Sequence, residues 1–555
     1  MADPDYQRIF EEAQQAADAP VPADDDGGKQ DSAATKLIHM ADRYELFHDA
    51  TREAYATIPL NGHRETMRVA SRLFRQHLAL EFFKAEKKAP PPQALASALP
   101  TIEAKAISEG SRKSVHIRVA EIDGSLWLDL CNENWDTVCI SRDGWSMVQD
   151  SPVKFIRPLA ALPLPCPANG GSFRTVERFT TLRGDELTLL KGYILGCLRE
   201  RGPFPILAFI GEQGGGKTTQ SRAAKRMIDP SKAATRCLPK DERDLMIAAE
   251  GQHILALDNL NQIDGQMSDA LCRLATGGGL STRALYSDRD ETIFEAQRPV
   301  ILNAITDVLT RPDLIDRSIV LAVPALEESR RKPEEAFWAD FDKAHPELLG
   351  ALCDAASLAL KETKGQVVPA VRMSDFAAFV ERGEAGLGLR RGAFIAAYTN
   401  NRRETNEIAI DLSPVAQALK EFTKGNPGWS GTAAELLERL NPGATDDLRR
   451  SREWPKTPRG LSGAIRRVIP NLRSVGIAIK VNLREPGSGR RLISIECRDK
   501  PSQPSRPQPT VTAEPVQNAT DTPLCDGRDG RDDILNLVTV AKPEKGKRKV
   551  VEAEV

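Results

Sequence analysis

The segment Phe204-Pro-Ile-Leu-Ala-Phe-Ile-Gly-Glu-Gln-Gly-Gly-Gly-Lys-Thr-Thr219 decides the fold of this chain. Its apolar first half has the composition of a buried strand, and it runs directly into Gly211-x-x-x-x-Gly216-Lys217-Thr218, the pattern of a phosphate-binding P-loop. A chance glycine-rich turn has the same letters, but the strand before the loop and the helical run Gln220–Met227 after it favour the P-loop. The segment therefore predicts an α/β core that binds a nucleoside triphosphate.

Each residue type in this loop has a physical reason to be there. Glycines let backbone N–H groups curl around a polyphosphate, the Lys217 ammonium reaches the β- and γ-phosphates, and the Thr218 hydroxyl ligates Mg²⁺. We therefore predict ATP and Mg²⁺ as cofactors. The predicted ATP-binding residues are Gly211, Gly214, Gly215, Gly216, Lys217, Thr218 and Thr219.

A second apolar run, His253-Ile-Leu-Ala-Leu-Asp258-Asn259, ends in an acid. A carboxylate at the end of such a strand holds Mg²⁺ through its water shell, which makes Asp258 a predicted metal and catalytic residue with Thr218. The alternative is a buried strand followed by an Asx turn. Many NTPases place a water-activating glutamate where this chain has Asn259, so the group that activates water is left open.

Two further candidates follow along the chain. Arg298-Pro-Val-Ile-Leu-Asn303 is a strand that ends in a carboxamide, which can orient the attacking water, although an ordinary strand-end asparagine has the same pattern. Arg311-Pro-Asp-Leu-Ile-Asp-Arg317 precedes another strand, and an arginine there can stabilise charge on the ATP of a neighbouring subunit. The alternative for Arg317 is a salt bridge with Asp316. We predict Lys217, Asp258, Asn303 and Arg317 as the catalytic set.

The order of these elements between about 200 and 325 resembles the superfamily 3 helicases, a branch of the AAA+ P-loop ATPases that includes phage, plasmid and poxvirus primase-helicases. The resemblance implies a hexameric ring with a DNA-tracking hairpin between the acid and the asparagine. Arg283, Tyr286 and Arg289 lie in that segment, Asn303 corresponds to sensor 1 and Arg317 to the arginine finger. Asn259 departs from the family, which usually has a second acid. The segment Tyr44–Phe83 resembles, less specifically, the region that precedes such cores.

A basic segment near the carboxyl terminus is a second nucleic-acid candidate. Residues 446–498 carry 13 Lys or Arg against five Asp or Glu. Helices are predicted at Thr432–Asn441 and Thr457–Ile469, and a hairpin at Ile477–Asn482 with Arg491–Glu496, an order that fits a winged helix. We predict DNA contacts, with a solvated basic face as the alternative. The predicted residues are Arg459, Arg466, Arg467, Arg490 and Arg491.

Bulk properties limit the remaining choices. The 555 residues have a net charge of −2, so DNA attraction must come from local patches, and nine scattered cysteines without a C-x-x-C pair favour a reduced, cytoplasmic protein. No signal peptide or membrane span is expected. The predicted divisions are a disordered lead (1–35), an α+β accessory domain (36–160), the ATPase core (172–325), a helical lid or linker (326–405), a winged-helix-like domain (411–498) and a disordered tail (499–555).

Within the accessory domain, the sequence predicts a hairpin from Tyr44 to about Ile58, an amphipathic helix from about Glu65 to Lys84, and a second helix near Gln93–Glu109. Two β-rich runs meet at an Asp123-Gly124 turn.

The function these features predict is an ATP-dependent replicative helicase of a phage or mobile element, a ring that moves along single-stranded or forked DNA, with a separate primase as a possible partner. The alternative, favoured by Asn259, is a DNA-bound loader or switch that ATP controls without unwinding. A small-molecule P-loop kinase is a weaker option, because it explains neither the basic segment nor Asn303 and Arg317.

Overall fold

The computed structural model describes residues 31–212, 214–278, 280–283, 291–294, 297–304, 311–325, 333–362, 371–411, 413–451, 454–485 and 489–497. The amino-terminal part has its own buried core, which includes Phe74, Leu78 and Ile102. Its elements are α1 (Ala33–Ala41), β1 (Glu45–His48), β2 (Ala54–Leu60), β3 (His63–Arg68), α2 (Arg72–Glu86), α3 (Pro92–Ser108) and β4 (Ser111–Arg112), with sheet order β3-β2-β1-β4.

Two sequence predictions are wrong here. The helix expected from Glu65 begins only at Arg72, because Asn61 and Gly62 both take positive φ, 48° and 88°, and turn the chain into a hairpin between β2 and β3. The lead expected to be disordered to residue 35 already forms α1 from Ala33, where Ser32 caps the helix. The predicted hairpin of β1 with β2 and the second helix are confirmed.

The rest of the predicted accessory domain contributes to a different core. β6 (Val119–Ile122), β7 (Ser125–Asp129), β8 (Thr137–Ser141) and β9 (Gly144–Val148) form an antiparallel meander, and β5 (Val115–His116) pairs with β10 (Lys154–Phe155). The predicted turn at Asp123-Gly124 joins β6 to β7. Val119, Leu126 and Val138 of the meander share a buried cluster with residues 173–198 and with the helices near 341–398. The segment 36–160 therefore divides between separate cores and does not form one domain.

A four-stranded parallel sheet lies at the centre of the chain, in the order β12-β15-β11-β16. β11 is buried along its whole length and alternates between two apolar clusters, since Leu207 and Phe209 face one and Ile206, Ala208 and Ile210 the other. The carboxyl ends of these strands meet at one edge. The elements are a 3₁₀ helix (Phe173–Phe179), α4 (Gly184–Gly196), β11 (Ile206–Ile210), α5 (Lys217–Arg226), α6 (Glu242–Glu250), β12 (Leu255–Leu260), α7 (Gly265–Thr276), β13 (Leu280–Arg283), β14 (Glu291–Phe294), β15 (Val300–Ala304), α8 (Pro312–Ile315) and β16 (Ser318–Ala322).

Three helices, α9 (Glu334–Lys361), α10 (Ser374–Gly383) and α11 (Ala393–Asp411), cover one face of the sheet and complete its core. α9 and α10 lie within the segment 326–405 that the sequence predicts to be a helical lid or linker.

A carboxyl-terminal unit, residues 414–497, has a separate core that contains Leu436, Ile465 and Ile495. Its predicted helices and hairpin are confirmed, while the strand β17 was not predicted. The elements are α12 (Pro414–Gly425), β17 (Gly428–Thr432), α13 (Ala433–Leu440), α14 (Asp446–Arg450), α15 (Pro458–Ser474), β18 (Ile477–Arg484) and β19 (Arg491–Cys497), with sheet order β17-β19-β18.

Candidate functional site

The glycine-rich loop lies between the carboxyl end of β11 and the first turn of α5. Gly211 has φ of 148°, and a Cβ there would stand 2.5 Å from the Val323 carbonyl oxygen. Gly216 caps α5 in the left-handed region, with φ of 80°. Only glycine adopts both conformations without strain, so the loop reaches the amino end of α5, where unpaired N–H groups and the helix dipole favour an anion.

A cavity of about 610 Å³ opens over this loop. It is large enough for a nucleotide-sized ligand. Of the predicted nucleotide and catalytic residues, Gly211, Thr219 and Arg317 do not line it. The lining residues are Gly214, Gly215, Gly216, Lys217, Thr218, Asp258, Asn259, Leu260, Asn303 and Ala304.

The Lys217 ammonium is held over the loop. Its Nζ donates hydrogen bonds to the carbonyl oxygens of Gly211 at 2.8 Å and Glu212 at 2.7 Å. An ammonium has three N–H donors, so one remains for a ligand. Gly211 thus contributes to the site through its carbonyl oxygen.

A bulge at the end of β12 sets the position of Asp258. Leu257 pairs with Leu302 and Leu260 pairs with Ala304, so β12 has one residue more than β15 across this interval. The extra length is absorbed at Asn259, which is exposed and has φ of 57°. Asparagine tolerates this left-handed conformation better than most residues do, which gives a local reason for its presence.

Asn303 lies beside the bulge on β15 and is 2% exposed. Its Nδ2 donates to Asp258 Oδ1 at 3.0 Å, and the backbone N–H of Asn259 donates to the same oxygen at 2.8 Å. Because an ionised carboxylate only accepts, the amide nitrogen must face it and the amide oxygen must face away. Asn303 Oδ1 has no partner among the described residues. An unsatisfied buried oxygen is costly, so this acceptor is available to a donor such as water.

A buried ionic network lies at the end of α5 and the start of β12 that are remote from the cavity. Asp229 Oδ2 accepts from Lys225 Nζ at 2.9 Å and from the backbone N–H groups of His253 and Ile254 at 3.0 and 2.9 Å. Burial by itself would raise the pKa of Asp229, but the charges of Lys225 and Arg118 outweigh it and hold that pKa below its usual range. Asp229 therefore ties the far end of α5 to the start of β12, the strand that carries Asp258.

Arg118 joins the meander to this network. Its guanidinium is buried and donates to Asp229 Oδ1 at 3.2 Å and to the carbonyl oxygens of Asp129, Leu162 and Pro230. Arg118 also has φ of 62°, an unfavourable conformation for an arginine that the surrounding hydrogen bonds maintain. No local sequence pattern predicts this contact, since Arg118 and Asp229 lie 111 residues apart.

Arg317 lies at the opposite edge of the sheet from the cavity. It directly precedes β16, and its carbonyl oxygen accepts from the N–H of Ile206 at the start of β11. The alternative of an Asp316–Arg317 salt bridge is wrong for the described residues, because Asp316 pairs with Arg372 and Arg402. The side chain of Arg317 donates instead to the Asp313 carbonyl oxygen at 2.9 Å.

The predicted DNA-tracking segment has the expected hairpin strands. β13 pairs with β14 in antiparallel register, with Arg283 opposite Glu291. Tyr286 and Arg289 lie outside the described residues.

The predicted DNA-binding arginines of the carboxyl-terminal unit, Arg459, Arg466, Arg467, Arg490 and Arg491, are all exposed. The first three lie on α15, and the other two at the start of β19.

These features define a mixed α/β protein with a parallel sheet and a separate basic carboxyl-terminal unit. Two family models match the chain, that of the actinomycete integrative conjugative element replication protein over residues 174–406 and that of the AICE RepA C-terminal domain over residues 415–512. The matches support a replication protein of a mobile element. No curated protein sequence matches the chain. No helix among the described residues is long and apolar enough to cross a membrane.

Two solved structures of the NrS-1 C-terminal region were also found. The A-form apo structure is 11% identical, with a TM-score of 0.37, over 84% of this chain and 99% of that chain. A second apo structure is 10% identical, with a TM-score of 0.32, over 84% and 100%. Scores this low do not establish a shared fold.

Proposed function

We propose that this chain is an ATP-dependent DNA helicase of a mobile element, which couples ATP hydrolysis to movement along DNA in a ring of identical subunits. The observation that carries the proposal is the pairing of Asn303 with Asp258 in the cavity above the glycine-rich loop. The buried Asn303 Oδ1, which has no partner among the described residues, is a preorganised acceptor for the water that attacks the γ-phosphate.

The loop supplies the binding energy for the triphosphate. The amino end of α5 and the remaining N–H of Lys217 meet the β- and γ-phosphates, and their geometry is fixed before the ligand arrives because Gly211 and Glu212 hold the lysine. Lys217 therefore acts both in binding and in stabilising charge on the transferred group.

The donor set fits Mg²⁺. Thr218 and Asp258 both line the cavity, and oxygen ligands are those that this ion prefers. Asp258 Oδ1 is occupied by Asn259 and Asn303, while Oδ2 accepts no hydrogen bond from the described residues and is free for the water shell of the ion. Bound Mg²⁺ would neutralise charge on the phosphate oxygens.

The position of Arg317 supports a site shared between subunits. β16 has five residues, so its two ends lie about 16 Å apart, and the side chain of Arg317 starts at the end away from its own cavity. The guanidinium is therefore better placed to contact ATP bound by a neighbouring subunit than ATP in its own cavity. Adjacent Asp316 is held by Arg372 and Arg402, which fixes the backbone that presents Arg317.

A second candidate function, an ATP-controlled loader or switch without unwinding, is favoured by Asn259. In the described cavity, Asp258 is the one carboxylate among the lining residues, and Asn259 offers no general base. Such a site would bind ATP and hydrolyse it slowly.

The test is ATP hydrolysis and forked-duplex unwinding by the full chain and by Lys217→Ala. We expect DNA-stimulated hydrolysis and unwinding in the natural chain and a loss of at least about 100-fold in hydrolysis for the variant. Lys232→Ala is the matched control, since it removes an exposed lysine outside the cavity. Robust hydrolysis by Lys217→Ala contradicts the site, whereas ATP-dependent DNA binding without unwinding selects the switch.

A further inference from the structure

The exposed face of α15 carries a row of arginines. Arg459, Arg466 and Arg473 recur every seven residues, which places them on one side of the helix over about 21 Å. The opposite face is buried through Leu461, Ile465, Val468 and Leu472. Packing of the buried face against the core of the carboxyl-terminal unit therefore sets the direction in which the arginine row faces.

Most of these charges have no neutralising partner in the part of the chain that the structure describes. Among the described residues, Arg459, Arg467 and Arg473 make no side-chain hydrogen bond or ion pair, and Arg466 donates only to Asn482 Oδ1, at 3.1 Å. Surface arginines elsewhere in the chain are commonly paired, as Arg372 and Arg402 are with Asp316. The row is thus a concentrated positive surface on a rigid helix.

The β18–β19 hairpin adds a second pair of charges beside this row. Arg484 and Arg491 are direct cross-strand partners, both exposed, and neither has a side-chain partner among the described residues. Like charges in this relation lie about 5 Å apart at Cβ and destabilise a hairpin unless an anion lies between them. The pair therefore has the arrangement of a phosphate clamp.

A bulge places the hairpin next to the helix. Lys480 pairs with Ser494 and Leu483 with Leu492, so β18 has one extra residue, and Asn482 within it has φ of 63°. Asn482 is also the residue that accepts from Arg466. This hydrogen bond connects the α15 row to the strand that ends at Arg484.

The burial of the aromatic residues favours double-stranded over single-stranded DNA as the ligand of this unit. Proteins that bind single-stranded DNA stack its bases on exposed aromatic rings. In the described part of this unit, Trp454 is buried, and Phe422 and Trp429 pack against its core and contact each other at 5.9 Å between ring centroids. Phe422 and Trp429 are only partly exposed, while a helix of ~10–12 Å diameter fits the major groove of B-DNA.

We infer that the carboxyl-terminal unit is an anchor for double-stranded DNA, in which α15 lies along the groove and Arg484 and Arg491 hold one backbone phosphate between them. This rests on the proposed function only in taking DNA as the substrate. The anchor works without ATP, so it keeps the chain attached to duplex DNA whether or not nucleotide is bound.

The experiment measures binding of the full chain, without nucleotide, to a labelled random duplex of about 30 base pairs and to one of its single strands across a salt series. We expect duplex to bind at least about tenfold more tightly. In Arg484→Gln/Arg491→Gln, the slope of log K against log salt should fall by about 2, and duplex binding at 0.1 M salt should weaken roughly 50-fold.

Lys420→Gln/Lys424→Gln is the control, because it also removes two positive charges but from α12. Thr423 on α12 contacts Cys497, which lies at the opposite end of β19 from Arg491. Thermal unfolding separates folding from binding, since removal of the like-charge pair should leave the melting temperature unchanged or slightly higher. Equal losses in both variants, an unchanged salt slope, or tighter binding of the single strand would overturn the anchor. Omitting ATP keeps this result independent of whether the cavity hydrolyses it.

Discussion

The edge of the parallel sheet and the surface beside α15 share one local feature but differ in how their polar side chains are paired. Each has a β-bulge that contains an asparagine with positive φ, Asn259 at 57° and Asn482 at 63°. At the sheet edge the bulge aims Asp258 into a cavity whose polar groups bond to one another. On the carboxyl-terminal unit the bulge lies beside the arginines of α15, most of which make no side-chain hydrogen bond with the described residues. The first region can recognise a ligand by fixed dipoles, the second by uncompensated charge.

This contrast predicts different responses to mutation, acid and salt. Changes at the sheet should alter the rate of hydrolysis or the stability of the core, while changes on α15 should alter DNA affinity and its salt dependence.

The largest effect is expected from Arg317→Ala. Loss of charge stabilisation on a neighbour's ATP should lower kcat about 1000-fold with little change in ATP binding. Mixing Arg317→Ala with Lys217→Ala subunits should restore part of the activity, because some interfaces then combine an intact cavity with an intact arginine. Arg311→Ala is the comparison, since Arg311 already contacts Asp269 at 3.5 Å. No recovery on mixing would place Arg317 outside the shared site.

Acid should weaken the sheet region more than the carboxyl-terminal unit. Burial lowers the pKa of His253 and of His345 to about 4, whereas an unfolded histidine has a pKa of about 6.5. The unfolded chain therefore takes up protons first, and each histidine should remove about 3 kcal/mol of stability as pH falls from ~6.5 to ~4. Residues 414–497 contain no histidine.

Chemical denaturation at several pH values tests this prediction. His345→Gln keeps a donor for the Met227 carbonyl oxygen, which His345 contacts at 3.1 Å, but cannot titrate. The pH dependence should be shallower in this variant. An equally steep curve would show that other groups cause the loss.

Asn303→Ala should reduce kcat about 100-fold while the KM for ATP changes little, because the amide acts on the attacking water and on the orientation of Asp258. Steady-state kinetics with a nucleotide-binding assay separates the two parameters. Asn401→Ala provides a contrast, since Asn401 bonds the backbone of Val320 at 3.0 and 2.7 Å and should affect stability instead. A rise in KM with unchanged kcat would show that Asn303 acts in ATP binding and not in hydrolysis.

The smallest effect is expected from Arg467→Gln on α15. Loss of one phosphate contact should weaken duplex binding about eightfold at 0.1 M salt and lower the salt slope by about 1, without any change in ATP hydrolysis in the absence of DNA. Fluorescence anisotropy at several salt concentrations measures both. A loss that does not depend on salt would contradict a phosphate contact.

Much of the local structure follows from the sequence because its signals are local. The glycine pattern with Lys217 predicts the loop between β11 and α5, and apolar runs predict β12 and β15. The amphipathic pattern predicts a helix from about Glu65, but the Asn61-Gly62 dipeptide, itself a strong hairpin signal, joins β2 to β3 instead.

The sequence by itself predicts which side chains would meet phosphate, since the pattern lies within eight residues from Gly211 to Thr218. Only the tertiary structure decided that Asn303 bonds Asp258, that Arg118 reaches Asp229, and that Asp316 pairs with Arg372 and Arg402. These contacts join residues 45 to 111 positions apart along the chain. Such partners depend on strand order, bulges and packing, which no local pattern specifies.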